Sequence, residues 1–224
     1  MTSSPSRMVR VSWTAIVFLI PAMGGPEAGA GEQPQAAARP IIEPVIPRVI
    51  GSVVSTLEGR RITRLKYELR FEGTKPLEFT LPQGQSLKRV YLNGSAVPFE
   101  TEAGHLKLEV TPTRTGDAAG NLELVLSELT GSYHLSGRHR YRLPAASWTV
   151  NELQLELHLP QVFNYTWRGG SLAPSESRQL PRFTYAIPTP GKHLAYRQSL
   201  IMSSTPDVVV DYTVDLSGQY FRLP

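Results

Sequence analysis

Apolar and polar residues alternate from Leu69 to Val110, and every alternating run stops at Gly, Pro or Asn. In Lys88-Arg89-Val90-Tyr91-Leu92 the period is close to two; Asn93-Gly94 follows, and then a short run through Val97 and Phe99. Asn and Gly tolerate positive φ, which the primed two-residue turns require, so the segment predicts a hairpin. Leu106, Leu108 and Val110 repeat the pattern after Ala103-Gly104. The stretch reads as an antiparallel meander.

The same rule extends over most of the chain. Val49–Leu57 is β-branched and ends at Glu58-Gly59. Across Ile62–Phe71, Leu65, Tyr67, Leu69 and Phe71 share one face, expected in the core, while the opposite face carries charges and is expected to be wet. Leu122, Leu124 and Leu126 alternate with Glu123, Val125 and Ser127. Tyr133–Leu143 puts Tyr133, Leu135, Gly137, His139, Tyr141 and Leu143 on one face. Leu153, Leu155, Leu157 and Leu159 alternate with Gln154, Glu156 and His158 until Pro160 stops the run. Phe163–Trp167, Phe183–Ile187, Leu194–Met202 and Val208–Val214 complete the strand candidates. Many short strands with no helical period between them predict an all-β antiparallel β-sandwich. It is either one large sandwich or two small immunoglobulin-like lobes joined near Gly131, a choice the periodicity leaves open.

The N-terminal part follows another rule. Arg7 and Arg10 precede an apolar run from Val11 to Met23, and Ala28-Gly29-Ala30 supplies small residues for cleavage, so residues 1–30 read as a signal peptide. The apolar run falls short of the roughly 20 residues a transmembrane helix needs. Residues 31–47 are rich in Ala, Pro, Gln and Glu and predict an extended linker whose last part lies along the domain; residues 48–224 are the sandwich region. Export to the periplasm or the exterior is the expectation, with no transmembrane span after cleavage.

Composition then removes whole classes of chemistry. Taking Arg7, Arg10 and Glu27 from the 23 basic and 19 acidic residues leaves 21 and 18, a net charge of +3, too small an excess to imply nucleic acid. Cys is absent, which excludes disulfides, thiolate metal sites and a nucleophilic Cys. The fold must therefore be held by its core.

With these residues in view, the chain resembles a family of uncharacterised bacterial exported proteins built from β-sandwich segments. The residues that carry the resemblance are Arg61–Phe71, Phe79-Thr80-Leu81-Pro82 followed by Val90-Tyr91-Leu92-Asn93-Gly94, and Asn151–Pro160 followed by Tyr165. The resemblance implies the sandwich fold and a bacterial exported protein. It offers no catalytic residues to transfer.

Candidate chemistry is sparse. No Gly-x-Ser-x-Gly elbow is present, so a Ser-His-Asp hydrolase has no sequence support. The five histidines lack ligand spacing on any helix face. Across strands, His134 and His158 are the metal partners to test, although no metal or cofactor is expected. Arg138, Arg140 and Arg142 project to one side of an extended strand; they read either as a polyanion-binding stripe or as charges guarding a strand edge. Phe163, Tyr165 and Trp167 also share a side, either as a sugar-stacking strip, which requires a Trp167 more than half exposed, or as core. The reading that follows is a non-enzymatic envelope module that binds or scaffolds, its partner an envelope protein or a glycan. A carbohydrate-binding module and a hydrolase of unrecognised type are the alternatives.

Overall fold

The computed structural model describes residues 43–112, 119–177 and 181–217. The expected signal peptide and most of the expected linker lie outside them. All regular structure among the described residues is β: β1 (Val45–Ser55), β2 (Arg60–Arg70), β3 (Lys75–Thr80), β4 (Gln85–Leu92), β5 (Ser95–Ala96), β6 (Thr101–Glu102), β7 (His105–Val110), β8 (Ala119–Leu129), β9 (Ser136–Arg142), β10 (Ala145–Ala146), β11 (Thr149–Leu159), β12 (Phe163–Gly170), β13 (Ala173–Pro174), β14 (Lys192–Ile201) and β15 (Asp207–Val214). Val45, Ile46 and Pro47, read from the sequence as the end of the linker, are thus the first residues of β1. The register between β1 and β2 shifts between Val45 and Arg48. Pro47 lies at that irregularity and has no N–H to give to a ladder.

The strands form three sheets. The largest has the order β13-β14-β11-β1-β2-β8-β4-β5; β10-β3-β7-β6 and β12-β15-β9 are the two smaller ones. One buried cluster draws on all three, with Leu65, Leu124 and Leu155 from the large sheet, Phe79 and Leu106 from the second and Tyr141 and Val210 from the third. The described residues are therefore a β-sandwich with a single continuous core. Tyr67 meets Phe79 edge-on across the layers, with ring centroids 5.0 Å apart. The buried Trp148 indole donates its Nε1–H to the Pro76 carbonyl at 3.0 Å, which satisfies its one polar atom.

The alternation decides which side chains enter this core. Leu65, Tyr67, Leu69 and Phe71 are buried, as are Leu122, Leu124, Leu126 and the four leucines of β11. The predicted hairpin joins β4 to β5, with Asn93 and Gly94 both at positive φ. Two features depart from the pattern. The pairing of β1 with β11 is parallel, with Gly51 opposite Leu155, where the sequence predicted antiparallel neighbours throughout. β1 also loses its alternation from Val49 to Val53, where every residue is buried, because both of its faces are covered.

Leu135, which the alternation grouped with Tyr141 and Leu143, precedes β9 and is exposed, whereas those two are buried. Phe183–Ile187, expected as a strand, forms none. That segment instead covers part of the outer face of the large sheet, and the polar chemistry of the molecule lies beneath it.

Candidate functional site

Outward-pointing positions of the central strands carry Ser52 from β1, Arg64 from β2, Glu123 from β8, and Glu156 and His158 from β11, all buried. The charged face of β2, expected to be wet, is closed over Arg64. Phe183, Thr184 and Tyr185 lie across it. The Glu123 carboxylate accepts the backbone N–H groups of Thr184 at 2.7 Å and Tyr185 at 3.1 Å. Arg64 donates to the Tyr185 carbonyl at 3.2 Å and to Ser52 Oγ at 3.0 Å, and its guanidinium lies 4.4 Å from the centre of the Phe183 ring. Burial pulls the Arg64 pKa below its usual value, against the opposing charge of Glu123. A buried carboxylate and a buried guanidinium thus hold a segment whose backbone groups have no strand partner.

At the other end of this row, β11 and β14 pair with His158 directly opposite His193. Glu156 stands two residues before His158, so the two-residue period places all three on the same face. His158 Nδ1 is 3.4 Å from His193 Nε2, and the rings meet edge-on at 84°. His158 Nε2 is 3.9 Å from Glu156 Oε2 and is buried with no hydrogen-bond partner. Ser177 donates to Glu156 Oε1 at 2.6 Å and so orients the carboxylate. Burial, then His193, then Arg64 hold the His158 pKa down to about 4. A cleft of about 210 Å³ opens beside the group, lined by Gln154, Glu156, Ser175, Glu176 and Arg197 among others.

The sequence placed Glu156 and His158 on one polar face but paired His158 with His134. The structure pairs it with His193. His134 lies just before β9, and β9 is in another sheet. Leu157 opposite Leu194 sets the register, and nothing local to either strand announces it.

The arginine stripe lies on β9 as expected, but two of its members are neutralised. Asp211 of β15 accepts Arg138 Nε at 2.6 Å and Arg168 Nε at 2.6 Å, and Asp207 accepts Arg140. The hydrogen bonds from Arg138 and Arg168 hold the Asp211 pKa down to about 2. Arg142 is exposed and has no carboxylate partner among the described residues. The stripe is therefore half of a mixed-sign cross-strand ladder.

The aromatic strip is graded from core to surface. Phe163 is buried against Tyr133 and Tyr212, with centroids 5.0 and 5.2 Å away. Tyr165 is half-buried and donates its hydroxyl to the Pro160 carbonyl at 2.8 Å. Trp167 is 41% exposed, short of the half that a stacking platform required. One ring in the row faces solvent, so Phe163 and Tyr165 serve the core and not a flat sugar-binding surface.

No protein-family model matches the sequence, and no curated protein matches it. Among solved structures, a mutant of the M1 zinc metallopeptidase from Deinococcus radiodurans aligns with a TM-score of 0.47 and 11% identity, over 75% of this chain and 42% of that one. The native LTA4 hydrolase of yeast aligns with a TM-score of 0.46 and 9% identity, over 77% of this chain and 29% of that one. The chain spans less than half the length of either. At that level of likeness neither protein's chemistry transfers to it.

Proposed function

We propose that the chain is a non-catalytic β-sandwich module, exported to the cell envelope, that binds or scaffolds a protein partner. Export rests on the basic Arg7 and Arg10, the apolar run to Met23 and the small residues at Ala28-Gly29-Ala30. The observation that carries the binding reading is an apolar end of the sandwich. Leu57 in the β1–β2 turn, Leu129 at the end of β8, Leu135 before β9 and Leu216 after β15 are all exposed, the last three by at least 75%.

Backbone hydrogen bonds bring their segments together. The Tyr133 N–H donates to the Leu57 carbonyl, Thr130 N–H to Gly59 and Val214 N–H to Leu135, at 3.0, 2.8 and 2.7 Å. Large aliphatic side chains gathered on one end of a small domain mark an interaction surface. A partner with apolar side chains would desolvate them.

A photo-crosslinking residue at position 135, compared with one at Lys107 on β7, tests this in the native host. A discrete protein adduct is expected only from position 135, and adding Leu129→Asp and Leu216→Asp to that protein should abolish it without unfolding the domain. No adduct at 135, or equal adducts at both positions, removes the docking reading. Turnover of an ester, peptide or glycan at a rate abolished by one side-chain change removes the non-catalytic one.

A further inference from the structure

We infer that Glu156, His158 and His193 form a binding site for a divalent transition-metal cation of the zinc class, held across β11 and β14 on the outer face of the large sheet. One donor atom from each residue lies within 4.8 Å of the other two. Ligands of a tetrahedral zinc stand about 3.3 Å apart when each bond is about 2.0–2.1 Å. The 3.4 Å between His158 Nδ1 and His193 Nε2 already matches that spacing, and it is long for a hydrogen bond between two ring nitrogens. Completing the shell requires the Glu156 side chain to swing toward the two imidazoles.

A second observation points the same way. A neutral imidazole carries one proton, so one nitrogen of His158 is a donor and the other an acceptor. With Nδ1 facing His193, the buried Nε2 finds no partner whichever tautomer is present. A cation on Nδ1 leaves the ring's one proton on Nε2 and so fixes the tautomer. Ser177, hydrogen-bonded to the other carboxylate oxygen, holds Glu156 in place. Two imidazoles and a carboxylate are a borderline-soft donor set that suits zinc, cobalt or nickel over calcium or magnesium.

The surroundings allow entry and limit affinity. His193 is exposed and the cleft beside Glu156 is open, so an ion reaches the site without unfolding. Glu176 lines the same cleft and adds negative charge. Arg64 opposes the ion, although its guanidinium is bonded to Ser52 and the Tyr185 carbonyl. Three protein ligands leave the fourth tetrahedral position to water. The site shares no residue with the leucine end, and neither inference depends on the other.

The experiment is a titration of chelator-treated protein, free of any histidine tag, with Zn²⁺ by calorimetry and with Co²⁺ by visible absorption. Expected are one equivalent bound, the intense d–d absorption of tetrahedral Co²⁺ and a rise in melting temperature with Zn²⁺. His193→Ala changes an exposed side chain and should leave the fold intact while weakening Zn²⁺ binding by about 100-fold or more, and Glu156→Gln should weaken it by at least about tenfold. His105→Ala, remote on β7, should change nothing. Absence of a stoichiometric equivalent, octahedral Co²⁺ absorption, or an affinity that survives His193→Ala overturns the site.

Discussion

His139 is a titratable ring held where its charged form is unwelcome. It stacks on Tyr212 at 4.9 Å, meets Tyr133 edge-on at 4.4 Å, and faces Tyr141 and the buried Arg61. Burial first, then the charge of Arg61, lowers its pKa to about 4. An unfolded chain protonates this ring near its ordinary value of about 6.5. Between that pH and about 4 the unfolded state therefore binds a proton that the folded state refuses. The contribution is fully present above about pH 6.5 and declines as the pH falls to about 4. His139→Phe should flatten this acid decline by about 1–2 kcal/mol, allowing for the partial exposure of the ring. Denaturant midpoints for the two proteins at a series of pH values check it, and parallel pH curves would refute it. Gly191 is constrained in a different way. It adopts a φ of +109°, and a Cβ there would collide with the Leu159 carbonyl oxygen. Gly191→Ala should therefore cost about 2 kcal/mol or more in an unfolding titration.

The segment between β13 and β14 shows what decides an element's identity. Phe183-Thr184-Tyr185-Ala186-Ile187 has a strand-like composition, yet Pro181, Pro188 and Pro190 bracket it. The N–H groups of Thr184 and Tyr185 go to the Glu123 side chain, not to a neighbouring strand. Glu123→Ala would strand those two donors and leave Arg64 without its opposing charge, at a cost of about 2–3 kcal/mol. Hydrogen exchange should accelerate at Thr184 and Tyr185 while the amides of β1 and β11 stay protected. Uniform acceleration would mean that the segment is not separately held. The ladder on β9 and β15 behaves differently, because Arg138 is largely exposed. Arg138→Ala should change stability by less than about 1 kcal/mol, since exposed ion pairs contribute little, and a thermal melt suffices to check it.

At the scale of the whole molecule one core joins the three sheets, and its leucines carry it. Leu124 is fully buried in β8, which is flanked by β2 and β4 within the large sheet. Leu124→Ala should cost about 3–4 kcal/mol, part transfer and part cavity, and should move the denaturant midpoint without changing the slope. A cost below about 1 kcal/mol would mean that the layers are not packed over it.

Much of this architecture was legible in the chain. The alternation through Leu65-Lys66-Tyr67 and Leu155-Glu156-Leu157 is a local property of an extended backbone, so sequence alone determined that these are strands and which side chains enter the core. It determined the Asn93-Gly94 turn for the same reason, since positive φ is a property of the residues that sit there. Only the tertiary structure decided what covers the opposite face. Arg64 reads as solvated until Phe183 and the Tyr185 carbonyl, far along the chain, close over it. It alone decided that β1 lies parallel to β11 and that His158 faces His193 and not His134. Strand partners and register follow from the simultaneous packing of residues distant in sequence, and a period of two repeats identically in every strand that could have been the neighbour.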